Sequence, residues 1–325
     1  MDFFEDELVL GGYDWKKVVA TFLFEGKEPL VNNLVSGREY HDTDLAVMAT
    51  MLIKTFTVGH PLIHLGYAFE LANPSVATEA LGLSASCYNF FHKYIDDPSY
   101  TPREPPSNST PNLLDILQSV HTDTRLDDLT AQDLDANDMS SIFSKHESVL
   151  MDHWNAWSLD PFNASSQFEQ SQRVAAAILL CAHDHTPHQN PANQYDFFFV
   201  HLLTTSHAIR ILLPVLPAQF HVPVLRQWWL LTLAVYITQG RPEIKIERVE
   251  GFKRKEGRGW DWVKEQAVEG RWYRDAHFVK GLRALMVAGE TWGDDKDGLG
   301  GNDFWLKGAV KLGEEFDGWG GFGEG

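Results

Sequence analysis

Residues 195–214 read Tyr-Asp-Phe-Phe-Phe-Val-His-Leu-Leu-Thr-Thr-Ser-His-Ala-Ile-Arg-Ile-Leu-Leu-Pro. The run is too long for an ordinary strand, and it is apolar on every side. It therefore predicts a core helix, stopped near Pro214 and Pro217. Residues 222–238, with Trp228, Trp229 and Tyr236, read the same way, and so does the apolar run 45–53 inside an expected helix over 43–58. The most apolar stretch, 228–237, is shorter than the ~20 residues a bilayer span needs. Alternating strand patterns are nearly absent. The expected architecture is all-α: one multi-helix, bundle-like domain over 1–325, with buried apolar helices and long irregular loops.

Into this apolar background the chain places histidines. Gly59-His60-Pro61-Leu62-Ile63-His64-Leu65-Gly66-Tyr67-Ala68-Phe69-Glu70 sets two of them four residues apart. Pro61 fits the first turn of a helix, so His60 marks the entrance and His64 lies one turn inside, on the same face. Alone, this stretch suits a packed histidine pair as well as a metal site. His201 lies among Phe, Val and Leu and needs a hydrogen-bond partner from elsewhere in the fold. His207, six residues on, points to another side of the helix and suits a structural or substrate-facing role. In Asp275-Ala276-His277-Phe278-Val279-Lys280-Gly281-Leu282-Arg283-Ala284-Leu285, His277 and Lys280 share a helix face. An inward lysine is costly unless paired or modified; the alternative is a lysine reaching to the surface. Inward imidazoles on facing helices are how helical folds build sites for iron, copper, zinc or nickel. Glu70, Asp196 and Asp275 are the carboxylates available to such a site, so a triad of two histidines and one carboxylate stays open.

The remaining segments carry less chemistry. Helices are expected at 14–24, 30–34, 75–93, 113–120, 142–157, 166–181 and 304–312, the last of them peripheral. Residues 96–112 are a Pro/Ser-rich loop and 122–140 Asp-rich turns. The charged stretch 243–269 suggests a short hairpin, and 313–325 a Gly-rich tail. His183, His185 and His188 lie in a tract that can hold a metal, but Pro187 and Pro191 favour a solvated loop.

A net charge of -18 over 325 residues argues against nucleic-acid binding. Cys87 and Cys181, the two cysteines, suit buried reduced thiols rather than a disulfide or a cysteine zinc site. The acidic N-terminus has no secretory leader pattern, so a cytoplasmic location is expected, with no membrane partner. The dinucleotide fingerprint, the P-loop, the serine elbow and the H-E-x-x-H helix are all missing, and there is no flavin signature.

The stretches 59–70, 195–214 and 275–285, in this order and with this histidine spacing, resemble the questin oxidase-like family, fungal oxidoreductases of aromatic polyketide pathways. The resemblance covers most of the chain. It implies that a ring of an anthraquinone-type polyketide is cleaved or oxygenated with O2. Some members are described as Baeyer–Villiger oxidases using NADPH; others resemble metal-dependent dioxygenases, in which histidines and a carboxylated lysine hold iron. The matching residues are His60, His64, His201, His277 and Lys280 as the catalytic set, with His64, His201, His277 and Lys280 as ligands of Fe(II). A carbamate on Lys280 would turn an inward cation into an anionic ligand. Tyr67, Phe198, His207, Trp228 and Tyr236 are expected to line the pocket around the flat ring. The resemblance also implies an N-terminal segment with its own His-rich motif, expected to be missing here. Two alternatives follow: a metal-free NADPH-dependent Baeyer–Villiger oxidase, or an inactive homologue acting as a helical binding protein.

Overall fold

The computed structural model describes residues 2–23, 59–86, 91, 93–102, 106–130, 133–134, 139–160, 162–182, 194–293 and 303–321. Among them regular structure is helical except for two strands of two residues each, so the all-α reading holds. In chain order the helices are α1 (Asp2–Leu10), α2 (Trp15–Leu23), α3 (His60–Glu70), α4 (Pro74–Ser86), α5 (Lys93–Asp96), α6 (Leu113–His121), α7 (Ser140–Lys145), α8 (Glu147–Asn155), α9 (Ala164–Cys181), α10 (Phe197–Leu212), α11 (His221–Thr238), α12 (Glu247–Glu250), α13 (Trp260–Val268), α14 (Ala276–Trp292) and α15 (Phe304–Glu315). Strand β1 (Tyr195–Asp196) precedes α10, and β2 (Trp319–Gly320) follows α15. The helix expected at 43–58, the apolar segment 30–34, Cys87 and the histidines at 183–188 lie outside the described residues. No described helix is long and apolar enough to cross a membrane.

The chain divides into two compact units. The first comprises Met1–Pro111, Phe143–Gln167 and Thr205–Leu233. Here α3 starts at His60 with Pro61 in its first turn, where a missing N–H costs nothing. Asn73 stops the chain after α3 and caps α4, its Oδ1 accepting from the N–H groups of Ser75 and Val76 at 3.0 and 3.2 Å. Gly66 lets α3 approach Ala208 of α10 so closely that a Cβ at 66 would lie 2.5 Å from the Ala208 Cβ. The single helix expected over 142–157 is two, α7 and α8, broken at His146. Glu147, in the first turn of α8, accepts from Lys93 Nζ at 2.9 Å and Tyr94 Oη at 2.6 Å. The buried Trp154 indole donates to the Arg226 carbonyl at 2.8 Å, and the Arg226 guanidinium covers its ring at 3.8 Å.

The second unit comprises Asn112–Ile142, Phe168–Thr204 and Ala234–Gly325. Residues 174–181 of α9 are buried on all sides. Arg241 closes the C-terminus of α6, its Nη1 donating to the carbonyls of Val120, His121 and Asp123 at 3.1, 3.2 and 2.7 Å; these are the carbonyls a helix end leaves without partners. The charged stretch 243–269 holds α12 and α13, with no strand among its residues, so the hairpin reading is corrected. Its apolar residues follow helical spacing instead: Trp260, facing Gly289 of α14, and the buried Val263. The C-terminal region also differs from the expectation of a peripheral helix. Phe304, Trp305, Ala309, Val310 and Leu312 of α15 are buried, the helix continues to Glu315, and β2 pairs in parallel with β1, Trp319 beside Tyr195 and Gly320 beside Asp196.

Candidate functional site

Two helix N-termini of the second unit bring two imidazoles together. Asp196 opens α10, its Oδ1 accepting from the N–H groups of Phe198 and Phe199 at 2.8 and 3.0 Å. Asp275 opens α14 in the same way, its Oδ1 accepting from His277 and Phe278 at 2.9 and 2.8 Å. These are N-caps, the role short acidic side chains serve best at a helix start. With both starts fixed, His201 and His277 face each other with ring centroids 4.9 Å apart and planes inclined at 52°. The Phe197 ring lies against both, 4.8 Å from His201 and 4.6 Å from His277.

The tautomer of His201 follows from its contacts. Its Nδ1 is 2.8 Å from the Phe197 carbonyl, which only accepts, so Nδ1 carries a proton, and in the neutral ring Nε2 is the nitrogen with the lone pair. That bond to the residue one turn earlier lies within the helix, not elsewhere in the fold as expected. The pKa of His277 is lowered, first by burial and then by the nearby Lys280 cation, with Asp275 acting in the opposite direction. A neutral ring with a free lone pair is the form a metal needs. Within this unit His201, buried, and His277, half-buried, each offer one ring nitrogen to a common site. This pair of imidazoles, with an outer partner already on His201, fits a borderline transition metal such as iron.

The remaining expected residues divide among other roles. In the first unit the His64 ring is 6.1 Å from that of His60, and its Nδ1 faces Glu79 Oε2 at 3.4 Å. Lys280 is half-buried, one turn along α14 from His277. The three carboxylates have other partners: Asp196 and Asp275 cap helices, and Glu70 faces His207. His207 is buried, with Nε2 3.0 Å from Glu70 Oε2, and the Tyr67 ring is 5.8 Å away. Phe198 is buried edge-on to Phe197 at 5.7 Å. Trp228 is buried against Trp229 at 6.1 Å. Tyr236 donates to the Pro242 carbonyl at 2.5 Å and borders a cavity of about 220 Å³ with Leu117, Gln118 and Ile244. Sequence reasoning overlooked Phe197 and Trp319. Only the position of Phe197, one turn before His201, was a usable signal.

A family model described as Questin oxidase-like matches residues 1–285, and the chain belongs to that family. A Baeyer-Villiger oxidase of Pestalotiopsis microspora is 24% identical over 95% of this chain and 66% of its own length. An oxidoreductase of Aspergillus parasiticus is 25% identical over 70% of this chain and 46% of its own. A questin oxidase of Aspergillus fumigatus is 24% identical over 84% of this chain and 62% of its own. The chain thus spans about half to two thirds of the length of these curated relatives.

Proposed function

We propose that this member of the questin oxidase-like family is an oxidoreductase that uses O2 to cleave or oxygenate a ring of an anthraquinone-type aromatic polyketide. The observation that carries the reading is the facing pair of imidazoles, His201 and His277. The relatives named Baeyer-Villiger oxidase and questin oxidase support the reaction class. In this reading His201 and His277 hold iron(II), with Lys280 as a carbamate supplying the anionic ligand that the imidazoles lack. Iron so held supplies O2 binding and activation.

The chain's own residues then have defined tasks. The Nδ1–H of His201, held by the Phe197 carbonyl, fixes the ring and aims Nε2. Burial and the Lys280 cation lower the pKa of His277 and so favour its neutral ring. Phe197 keeps water from one side of both rings and offers a flat face to an aromatic substrate. The test is metal content and O2 uptake. Protein loaded with Fe(II) consumes O2 in the presence of a hydroxyanthraquinone, and His201→Ala does not.

A second reading takes the reaction in the relatives' names, a Baeyer–Villiger oxidation, and runs it with NADPH and no metal. There NADPH supplies the two electrons that reduce the second oxygen atom to water. O2 uptake that requires NADPH and is indifferent to chelation selects it.

A further inference from the structure

We infer that Trp319 is a positioning residue for His277, acting through Asp275; the inference rests on the proposed histidine site. The Asp275 carboxylate is divided between two tasks. Oδ1 accepts from the first amides of α14, those of His277 and Phe278, while Oδ2 accepts from the Trp319 indole N–H at 3.0 Å. An N-cap held on its outer oxygen cannot turn away from the helix, so the indole fixes where the first turn of α14 starts and where His277 projects. The same indole stands edge-on to His277 at 6.3 Å and to Phe197 at 6.2 Å.

The adjoining residues hold the other histidine helix. Residues 319 and 320 pair with 195 and 196, and Tyr195 N–H donates to the Gly318 carbonyl at 3.2 Å. Gly321, at φ +88°, lies so close to Asp196 that a Cβ there would be 2.5 Å from Oδ2. Three consecutive residues therefore grip both N-caps, Asp275 of α14 and Asp196 of α10. They lie beyond the 1–285 stretch that the family model matches. Groups hydrogen-bonded directly to a metal-ligating ring change metal affinity by about 10–100-fold when lost; Trp319 acts one step further out, through the backbone that starts α14.

The test uses Trp319→Phe, which keeps an aromatic ring and removes the donor, and Asp275→Ser, which keeps a good N-cap and removes the acceptor. Cobalt(II) binding to the full chain is followed by its visible absorption, and hydrogen exchange is read at the His277 and Phe278 amides. Each variant is expected to bind cobalt about tenfold or more weakly, with faster exchange at those two amides and unchanged helix content. The double variant is expected to be no worse than either single one. Wild-type cobalt affinity in Trp319→Phe, unchanged exchange at the two amides, or additive effects in the double variant each overturn the inference. A wild-type protein that takes up no cobalt overturns the metal reading instead, and the exchange measurement alone then decides the anchoring.

Discussion

His201 and His207 lie on one helix, six residues apart, and face different partners. His201 bonds within its own helix, to the Phe197 carbonyl, and meets His277. His207 meets Glu70 of α3. Six residues turn a helix through about 600°, leaving the two side chains about 120° apart around the axis. One helix thus carries a candidate ligand and a separate buried polar pair.

The two substitutions should therefore separate. His201→Ala is expected to abolish O2 uptake while the protein still unfolds cooperatively. His207→Ala opens a cavity and leaves the Glu70 carboxylate without that imidazole, costing about 2–4 kcal/mol. Denaturant unfolding beside an oxygen electrode reads both. Equal loss of stability in the two variants contradicts the separation.

Asp196 is 4% exposed, and burial raises its pKa from 3.8 to about 7 against the two amide hydrogen bonds that lower it. The folded state thus binds a proton at pH values where the unfolded chain has released it. This contribution to stability is complete below pH 4 and is lost as the pH rises through about 7. Asn also serves as an N-cap but does not ionise. Asp196→Asn should therefore gain stability relative to wild type between pH 4 and 8, by up to about 4 kcal/mol. Urea midpoints of both proteins across that range check the sign; a constant difference between them rules out the titration.

The fold class was readable because 195–214 and 222–238 are too long and too uniformly apolar for anything but buried helices. Pro61 marked the start of α3 for a local reason, its missing N–H. The break at His146 carries no Gly or Pro, and periodicity runs through it unbroken. The charge in 243–269 hid the helical spacing of Trp260 and Val263. At the site, His201 and His277 stood out as polar residues in apolar helices. Trp319 was hidden among glycines that read as a tail. Gly318 and Gly321, at φ +112° and +88°, are instead the turns that seat β2, and the contact from Trp319 to Asp275 spans 44 residues.

Lys280 provides a test of the carbamate. As an ammonium it lowers the pKa of His277 and opposes a cation bound beside it. As a carbamate it reverses that charge. Reconstitution with Fe(II) in CO2-depleted buffer is expected to yield little O2 uptake, and added bicarbonate to restore it. Lys280→Met should be inactive under both conditions. Activity independent of bicarbonate in the wild type excludes the modification and leaves the imidazoles as the protein's contribution.

Gly66 tests how tightly α3 is set against α10. A Cβ on residue 66 would lie 2.5 Å from the Cβ and 2.6 Å from the Cα of Ala208, so the obstacle is partly backbone and no rotamer relieves it. Gly66→Ala must push the helices apart, with an expected cost of about 1–3 kcal/mol despite the better helix propensity of alanine. Ala208→Gly removes one of the two contacts and leaves the Cα in place. The double variant should therefore recover only part of the loss, and denaturant unfolding of all three proteins measures it. Full recovery would mean that the side chain alone sets the spacing; a neutral Gly66→Ala would mean that α3 is free to shift along α10. Because His60 and Glu70 ride on α3, a shift should also disturb the bond from His207 to Glu70. Adding Glu70→Gln to Gly66→Ala should then cost less than Glu70→Gln does in the wild type.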